Sequence, residues 1–303
     1  MTRRTLITGA TGFVGPRLVD ALRAGGAEAT ALSRNAVRAR QAVPGLREAW
    51  DWQGPRDTVP AEALESASAV VHLAGESVSG RWTAAKRHAI EESRVAGTRR
   101  LVEAIAAAEP RPSVLVSASA IGYYGDRGEE VLDEDAGSGD DFLAGVCVGW
   151  ERQARAAEDL GVRVVRLRIG LVLGEGGGAL AAMKPLFAAG LGGRLGSGRQ
   201  WWPWIHVDDL VAMVQRAIAD DAWSGAINAV APEPIRQAGF AEALAAALRR
   251  PAFLPAPAFA IRTVLGGFAA ELLSSRRVVP ARARALGFEH AHADLGPALR
   301  DAL

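Results

Sequence analysis

The sequence predicts an α/β fold built on a parallel sheet, and three observations carry that prediction. Short β-branched runs alternate with longer helical patterns through the first half of the chain, the signature of strands joined by crossover helices. One run, "ASAVVHLAG" (67–75), is continuously apolar, as strands covered on both faces are. Three glycines stand where the first strand hands over to a helix, in "TLITGATGFVGPRLVDAL" (5–22).

The elements come in order along the chain. "RTLIT" (4–8) reads as the first strand; Val14, Leu18 and Leu22 then recur at helical spacing until Gly25-Gly26. "AEATALS" (27–33) is the second strand, "REAW" (47–50) a short third, and 67–75 the fourth. A helix over about 83–108 is closed by Glu109-Pro110, and "SVLVSAS" (113–119) is the next strand. A further helix over about 141–160 stops at Gly161, and "VRVVRLRIGLVL" (162–173) is a strand running into a loop. Beyond Gly174 the segments "GEGGGAL" and "GLGGRLGSGRQ" read as glycine-rich and mobile. "AINAVAP" (226–232) returns to the sheet as a strand. From Pro234 the chain reads as helical, with "PAFLPAPAF" (251–259) as a connector. The expected division is interleaved: 1–173 plus about 201–232 for the domain that carries the sheet, and about 174–200 plus 233–303 for a smaller, mostly helical C-terminal domain.

Composition narrows the function. A net charge of +1 over 303 residues gives no footprint for nucleic acid or a membrane surface. Cys147 is the lone cysteine, which excludes an intramolecular disulfide framework and fits a reducing compartment. No apolar run approaches the roughly 18 residues of a membrane span. Arg3-Arg4 before "TLI" has the look of a twin-arginine signal, but Gly9, Gly12 and Gly15 interrupt the apolar segment such a signal needs, so a cytoplasmic location is expected.

Gly9, Gly12 and Gly15 form G-x-x-G-x-x-G between strand and helix. In that context the first permits a tight turn, the second lets a pyrophosphate approach the backbone, and the third lets helix and strand pack closely. The phosphates then meet free amides and the positive end of the helix, and Pro16 suits the first turn. An acid ending the second strand would mark NAD and an arginine NADP. Here the residues are Ser33-Arg34, which favours NADP(H). Lys86 and Lys184 are the only lysines, so 33 of the 35 basic residues are arginine, which weakens any single arginine as evidence.

The wording of the motifs is specific. "TGATGFVG", "HLAG", "GTRRLVEAI", "SASAIGYYG" and "WIHVDDL" occur in the order found in extended short-chain dehydrogenases/reductases. "HLAGESVSGRW", "AIEESRVAGTRRLV", "GYYGDRG", "RIGLVLGEGGGAL" and "ELLSSRRVVPARARALGFEH" resemble one branch, the epimerase-like family of NADP-binding atypical short-chain reductases with its extra C-terminal domain. The resemblance covers essentially the whole chain. It implies a Rossmann-type, doubly wound parallel sheet of about seven strands with the cofactor across the carboxyl ends of the first and fourth. By position, Gly9, Thr11, Gly12, Phe13 and Val14 would hold the pyrophosphate, Ser33 and Arg34 the adenosine phosphate, and Trp50 and Asp51 the adenine edge. Leu73, Ala74, Gly75 and Glu76 would line the nicotinamide-side ribose with Arg81, Arg94 and Ser117 nearby. The general family often has asparagine where Arg94 stands. A homodimer through the two long helices is expected of such reductases.

The usual chemistry of that family is missing. Aligned on Glu151, "DFLAGVCVGWE" puts Leu143 at the position of the catalytic tyrosine and Cys147 at that of its lysine. Tyr123 and Tyr124 are the only tyrosines, and neither is followed four residues on by lysine. Ser119 stands at the family's catalytic serine and can polarise a carbonyl, while Tyr124 is the candidate proton donor; the aromatic pair also reads as packing. Cys147 reads as an inert buried thiol. His206 reads as the architectural start of a helix with Asp208 and Asp209 in its first turn, with direct catalysis as the alternative. The five histidines and Cys147 show no metal-ligand spacing, so no metal is expected. Trp82, Tyr123, Trp201 and Trp202 are candidates for a substrate wall, with a domain-interface core as the alternative for the tryptophans. Two functions are compatible with these residues: an NADP(H)-dependent oxidoreductase or epimerase-like enzyme on a small carbonyl, hydroxyl or nucleotide-sugar compound, or a catalytically silent NADP(H)-responsive binding protein. A third is reduction needing no proton relay, of the quinone type.

Overall fold

The structure is a computed structural model describing residues 3–252 and 254–303. In chain order it runs β1 (Arg4–Thr8), α1 (Gly15–Ala24), β2 (Glu28–Ser33), α2 (Ala36–Ala42), β3 (Leu46–Asp51), β4 (Ala67–His72), α3 (Ala84–Ala107), β5 (Val114–Ala120), β6 (Val131–Leu132), α4 (Phe142–Arg155), β7 (Arg163–Ile169), β8 (Leu171–Leu173), α5 (Gly178–Ala188), β9 (Trp204–His206), α6 (Val207–Ala219) and β10 (Gly225–Ala229). The C-terminal part adds α7 (Gln237–Ala247), α8 (Ala258–Leu265), α9 (Phe268–Leu273), β11 (Arg277–Val278), α10 (Ala281–Ala285) and α11 (Leu295–Asp301).

Seven strands form one sheet in the order β10-β7-β5-β4-β1-β2-β3, every neighbouring pair parallel. This is the doubly wound Rossmann-type sheet. The order reverses between β1 and β4, and a crevice opens beyond the carboxyl ends of strands at such a switch point. One sheet face buries Ile7, Val71, Val116 and Leu167 against Leu18 and Val19 of α1 and Leu210 and Val214 of α6. The other buries Leu6, Val70 and Leu115 against Leu101 and Ile105 of α3 and Ala154 of α4. A third apolar cluster joins Leu180 and Phe187 of α5, Trp202 and Trp204 at the start of β9, Phe240 and Leu244 of α7, and Leu299 of α11.

Several elements depart from expectation for local reasons. The run 162–173 is two strands: a Cβ at Gly170 would lie 2.9 Å from the Pro203 carbonyl oxygen, so the chain passes too closely there to continue the ladder. β8 instead pairs with β9 in a small sheet of its own. The glycine-rich stretch after Gly174 carries the helix α5. A Cβ at Gly177 would stand 2.2 Å from the Phe13 ring; these glycines make room for an aromatic side chain. Helix α2 has no counterpart in the sequence reading; Asn35 caps it by accepting from the Arg38 amide at 2.8 Å. The connector 251–259 includes Phe253, which lies outside the described residues. Among the described residues no helix is long and apolar enough to cross a membrane.

Candidate functional site: a dinucleotide-shaped cleft at the switch point

The glycine loop connects β1 to α1. Gly9 has φ +75°, and a Cβ there would lie 3.0 Å from the Ala74 amide nitrogen, so the loop abuts the backbone leaving β4. A Cβ at Gly15 would meet the Ala10 carbonyl oxygen at 2.2 Å, which is the helix–strand contact that only glycine permits. Val14 starts α1 without any side-chain cap, so the first-turn amides are left for a ligand. A cleft of about 760 Å³ runs from this loop along the ends of β4 and β2. Its walls include Gly9, Thr11, Gly12, Leu73, Ala74, Gly75, Glu76, Ser33 and Arg34, nine of the residues predicted to hold a dinucleotide. Size, bare backbone and flanking cation suit an extended, phosphorylated ligand.

A buried chain of hydrogen bonds fixes the floor. The Ala74 amide donates to Thr8 Oγ1 (3.1 Å), which lies 2.6 Å from His72 Nδ1. His72 Nε2 lies 3.0 Å from Thr98 Oγ1, which donates to the Arg94 carbonyl at 2.5 Å. Only the neutral Nε2–H tautomer satisfies every partner. Burial, with the Arg94 guanidinium nearby, pushes the imidazole down to about 4. Arg94 itself donates to the Glu76 carbonyl at 2.8 Å and lies over the Trp150 ring. It braces the β4 exit from behind rather than lining the cleft. Glu76 pairs with Lys86 at 2.6 Å.

At the adenosine end the wall differs from the predicted one. Trp50 packs into the sheet-face core, and Asp51 accepts from the Ala36 amide at 2.7 Å. The cleft is lined instead by Trp52, Gln53 and Arg56, with Gln53 Nε2 donating to the Arg34 carbonyl at 3.0 Å. Asp57 also faces the cleft, but its carboxylate accepts from the Gln53 amide at 2.9 Å. The acids at this end are thus engaged by backbone amides, and two guanidinium groups, Arg34 and Arg56, are exposed to the cleft. Sequence spacing does not single out Arg56; it ends a proline-containing turn (Gly54–Arg56) that packs on α3 and lines the same cleft as Arg34.

The remaining predicted residues lie outside this cleft. Phe13 turns its ring to the 174–178 segment, with Arg17 stacked over it and donating to the Glu175 carbonyl at 2.7 Å. Ser117 is buried and donates to the Ala118 carbonyl. Ser119, 3% exposed, donates to Glu151 at 2.8 Å. The same carboxylate accepts from Arg166 at 3.1 Å and from Arg168 at 2.8 and 3.1 Å. Tyr124 is fully buried; its hydroxyl donates to Asn228 Oδ1 (2.6 Å) and accepts from Arg168 at 3.0 Å. Burial pushes the phenol up to about 12. The structure therefore places Tyr124 as a structural strut, not an accessible proton donor. Cys147 is likewise buried, and burial, reinforced by Glu151, pushes its thiol up to about 12.

Of the aromatic candidates, Tyr123 is half-buried with the Arg168 guanidinium 3.5 Å from its ring centroid. Trp82 packs on Phe142 and Phe268, its indole N–H donating to the Val78 carbonyl at 2.7 Å. Arg81 is exposed, with its stem against Gly266. Trp201 lies under Arg236 and donates to Glu129 at 3.1 Å. Trp202 goes into the third core, on Phe240, with its N–H on the Leu272 carbonyl, because the chain before β9 is interior. The four do not form one wall. His206 caps α6, its Nδ1 accepting from the Asp208 amide at 3.3 Å.

Comparison with known proteins agrees with this architecture. The profile of the NAD dependent epimerase/dehydratase family matches residues 5–229, and that of a domain of unknown function, DUF1731, matches 256–302. The chain is 42% identical to the chloroplastic epimerase family protein SDR39U1 homolog of Arabidopsis thaliana, over 97% of this chain and 85% of that one. It superimposes on the crystal structure of human epimerase family protein SDR39U1 (isoform 2) with NADPH at a TM-score of 0.89 and 36% identity, covering 99% and 98% of the two chains. A nucleoside-diphosphate sugar epimerase from Corynebacterium glutamicum matches with a TM-score of 0.81 and 36% identity; the whole chain spans 58% of that longer one.

Proposed function

The chain belongs to the NAD dependent epimerase/dehydratase family, and on that premise we propose that it binds NADP(H) and uses it to reduce a small carbonyl compound. The observation that carries the reading is the cleft itself. It joins a glycine cradle to Arg34 and Arg56, at an end where Asp51 and Asp57 are already engaged by amides. Gly9, Gly12 and the α1 amides would hold the pyrophosphate, Ser33, Arg34 and Arg56 the 2′-phosphate, and Trp52 the adenine. The human relative with NADPH supports the assignment. When bound, the coenzyme supplies hydride to the substrate carbonyl.

The chain's own contribution at the reacting end is polarisation. Ser119, at the end of β5, is the group with the chemistry to polarise the substrate oxygen, and its buried hydroxyl would have to turn from Glu151 to reach it. With Tyr124 and Cys147 both buried away from any substrate, the proton that completes the alcohol would come from water. NADPH consumption across a panel of small carbonyls and nucleotide sugars tests this: the expected result is slow oxidation that Ser119→Ala lowers at least tenfold. A second reading, an NADP(H)-responsive binding protein, is favoured by the engaged hydroxyls of Ser119 and Tyr124. NADPH binding without turnover on the whole panel, with partner capture that depends on coenzyme, would select it.

A further inference from the structure

Away from the cleft, the start of α6 meets the end of the chain. His206 and His292 stack with ring centroids 3.7 Å apart. His206 Nε2 and His292 Nε2 each lie 3.4 Å from the same oxygen, Asp301 Oδ2. Together with Asp208 these residues offer one ligand atom apiece within 4.8 Å of one another. The His206 side chain is 3% exposed, and its buried Nε2 has no hydrogen-bond partner. An imidazole nitrogen buried without a partner is a cost the fold would ordinarily avoid, and this one is aimed at a carboxylate and a second imidazole.

We propose that His206, His292 and Asp301 form a binding site for a divalent transition-metal ion, with Zn²⁺ the simplest occupant. Two imidazoles and a carboxylate are the donor set that suits such ions. A tetrahedral ion with bonds of about 2.0–2.1 Å sets its ligands roughly 3.3 Å apart, close to the two 3.4 Å edges observed. Two further carboxylates stand near the outward ring nitrogens, beyond hydrogen-bond distance, and His292 Nδ1 is buried without a partner. Asp208 Oδ2 lies 3.6 Å from His206 Nδ1, and Asp209 Oδ2 lies 3.8 Å from His292 Nδ1, so each ring has a carboxylate on the side away from Asp301. Asp209 is itself buried and accepts from the Ala291 and His292 amides at 2.8 and 3.0 Å, which fixes the backbone that presents His292.

Uptake requires two local adjustments. The rings are only 26° from parallel, so the His292 ring, the more exposed of the two, tilts out of the stack to share the ion. His206 Nδ1 passes from accepting the Asp208 amide to donating to the Asp208 carboxylate. Asp208 and Asp301 are 59% and 60% exposed, which leaves the ion an entry path and an open position for water. The bound ion would tie α11 to the start of α6, a staple between the last helix and the nucleotide-binding part of the fold.

The test uses the full chain, stripped with chelator and titrated with Zn²⁺ by calorimetry, with Co²⁺ as a spectroscopic probe. The site predicts one ion per chain, a visible absorption band of low-coordinate Co²⁺, and at least tenfold weaker binding in His292→Asn and in Asp301→Asn. Both variants should retain NADPH affinity, which reports that they are folded. His88→Ala, removing an exposed histidine on α3, should leave the titration unchanged. Zn²⁺ binding equal in the parent chain and His292→Asn, absence of a Co²⁺ band in the parent chain, or loss of binding in His88→Ala would each overturn the proposal.

Discussion

At the scale of single residues, His72 shows how the cleft is held and what acid does to it. Its imidazole is neutral when folded, pushed down to about 4 by burial, against an ordinary value of 6.5. The unfolded chain therefore takes up a proton at this position near pH 6.5, while the folded one does so only near pH 4. Stability from this residue is complete above pH 6.5 and declines as pH falls toward 4, by on the order of 3 kcal/mol in all. Urea unfolding at pH 7.0, 6.0 and 5.0 should show that decline, and His72→Gln should flatten it. Equal slopes in the two proteins would contradict the assignment. The sequence shows this histidine only as part of a strand, because nothing in "VVHLAG" reveals that Thr8 and Thr98 stand ready on either side. Arg56 and Trp52 are illegible for the same reason: Trp52 continues β3 and Arg56 ends a turn packed on α3, and sequence distance does not record that both line the cleft beside Arg34.

At the scale of elements, the glycine loop and the α4–β7 clamp make separate predictions. Gly15→Ala puts a Cβ 2.2 Å from the Ala10 carbonyl oxygen, so α1 must shift away from β1. The expected cost is about 1–3 kcal/mol in stability, with at least tenfold loss of NADPH affinity by calorimetry. Glu151→Ala strands Arg166 and Arg168, whose side chains are 15% and 4% exposed. Removing one member of such a buried network costs about 3–5 kcal/mol, and the melting temperature should fall sharply. A wild-type melting curve in Glu151→Ala would show that the network carries no weight. Strands β1, β2, β4 and β5 and helices α1 and α3 are legible because periodicity and breakers agree there. Helix α5 and strands β8 and β9 are not. Gly177 and Gly178 look like loop glycines but serve to seat Phe13, and the break at Gly170 answers to Pro203, far along the chain.

At the scale of the whole molecule, the parallel sheet is legible from the alternation of elements and the glycine motif, while its seven strands and switch point follow only from the family resemblance. The site at its far end is legible only in part. Ser33 and Arg34 line the cleft. The Trp201–Trp202 pair, two of the candidates for a substrate wall, divides between an exposed ion-pair network at Glu129 and a buried core. Its members alternate along an extended segment, so neighbours in sequence face opposite surroundings. The histidine spacing that argues against a metal cannot register that the chain end returns to α6 and brings His292 onto His206. The central claim rests on the cleft and its two arginines. A coenzyme at a hundred times its dissociation constant should stabilise the fold by about 2.7 kcal/mol. Charge-assisted hydrogen bonds to a phosphate contribute about 1.5–3 kcal/mol each, or about tenfold in affinity and more. The most direct test is calorimetric titration of the full chain with NADPH and with NADH, repeated on Arg34→Ala and Arg56→Ala. The account predicts NADPH binding at least tenfold tighter than NADH, with the gap narrowing in each variant while NADH affinity holds. Equal affinities for the two coenzymes, or no binding of either, would contradict it.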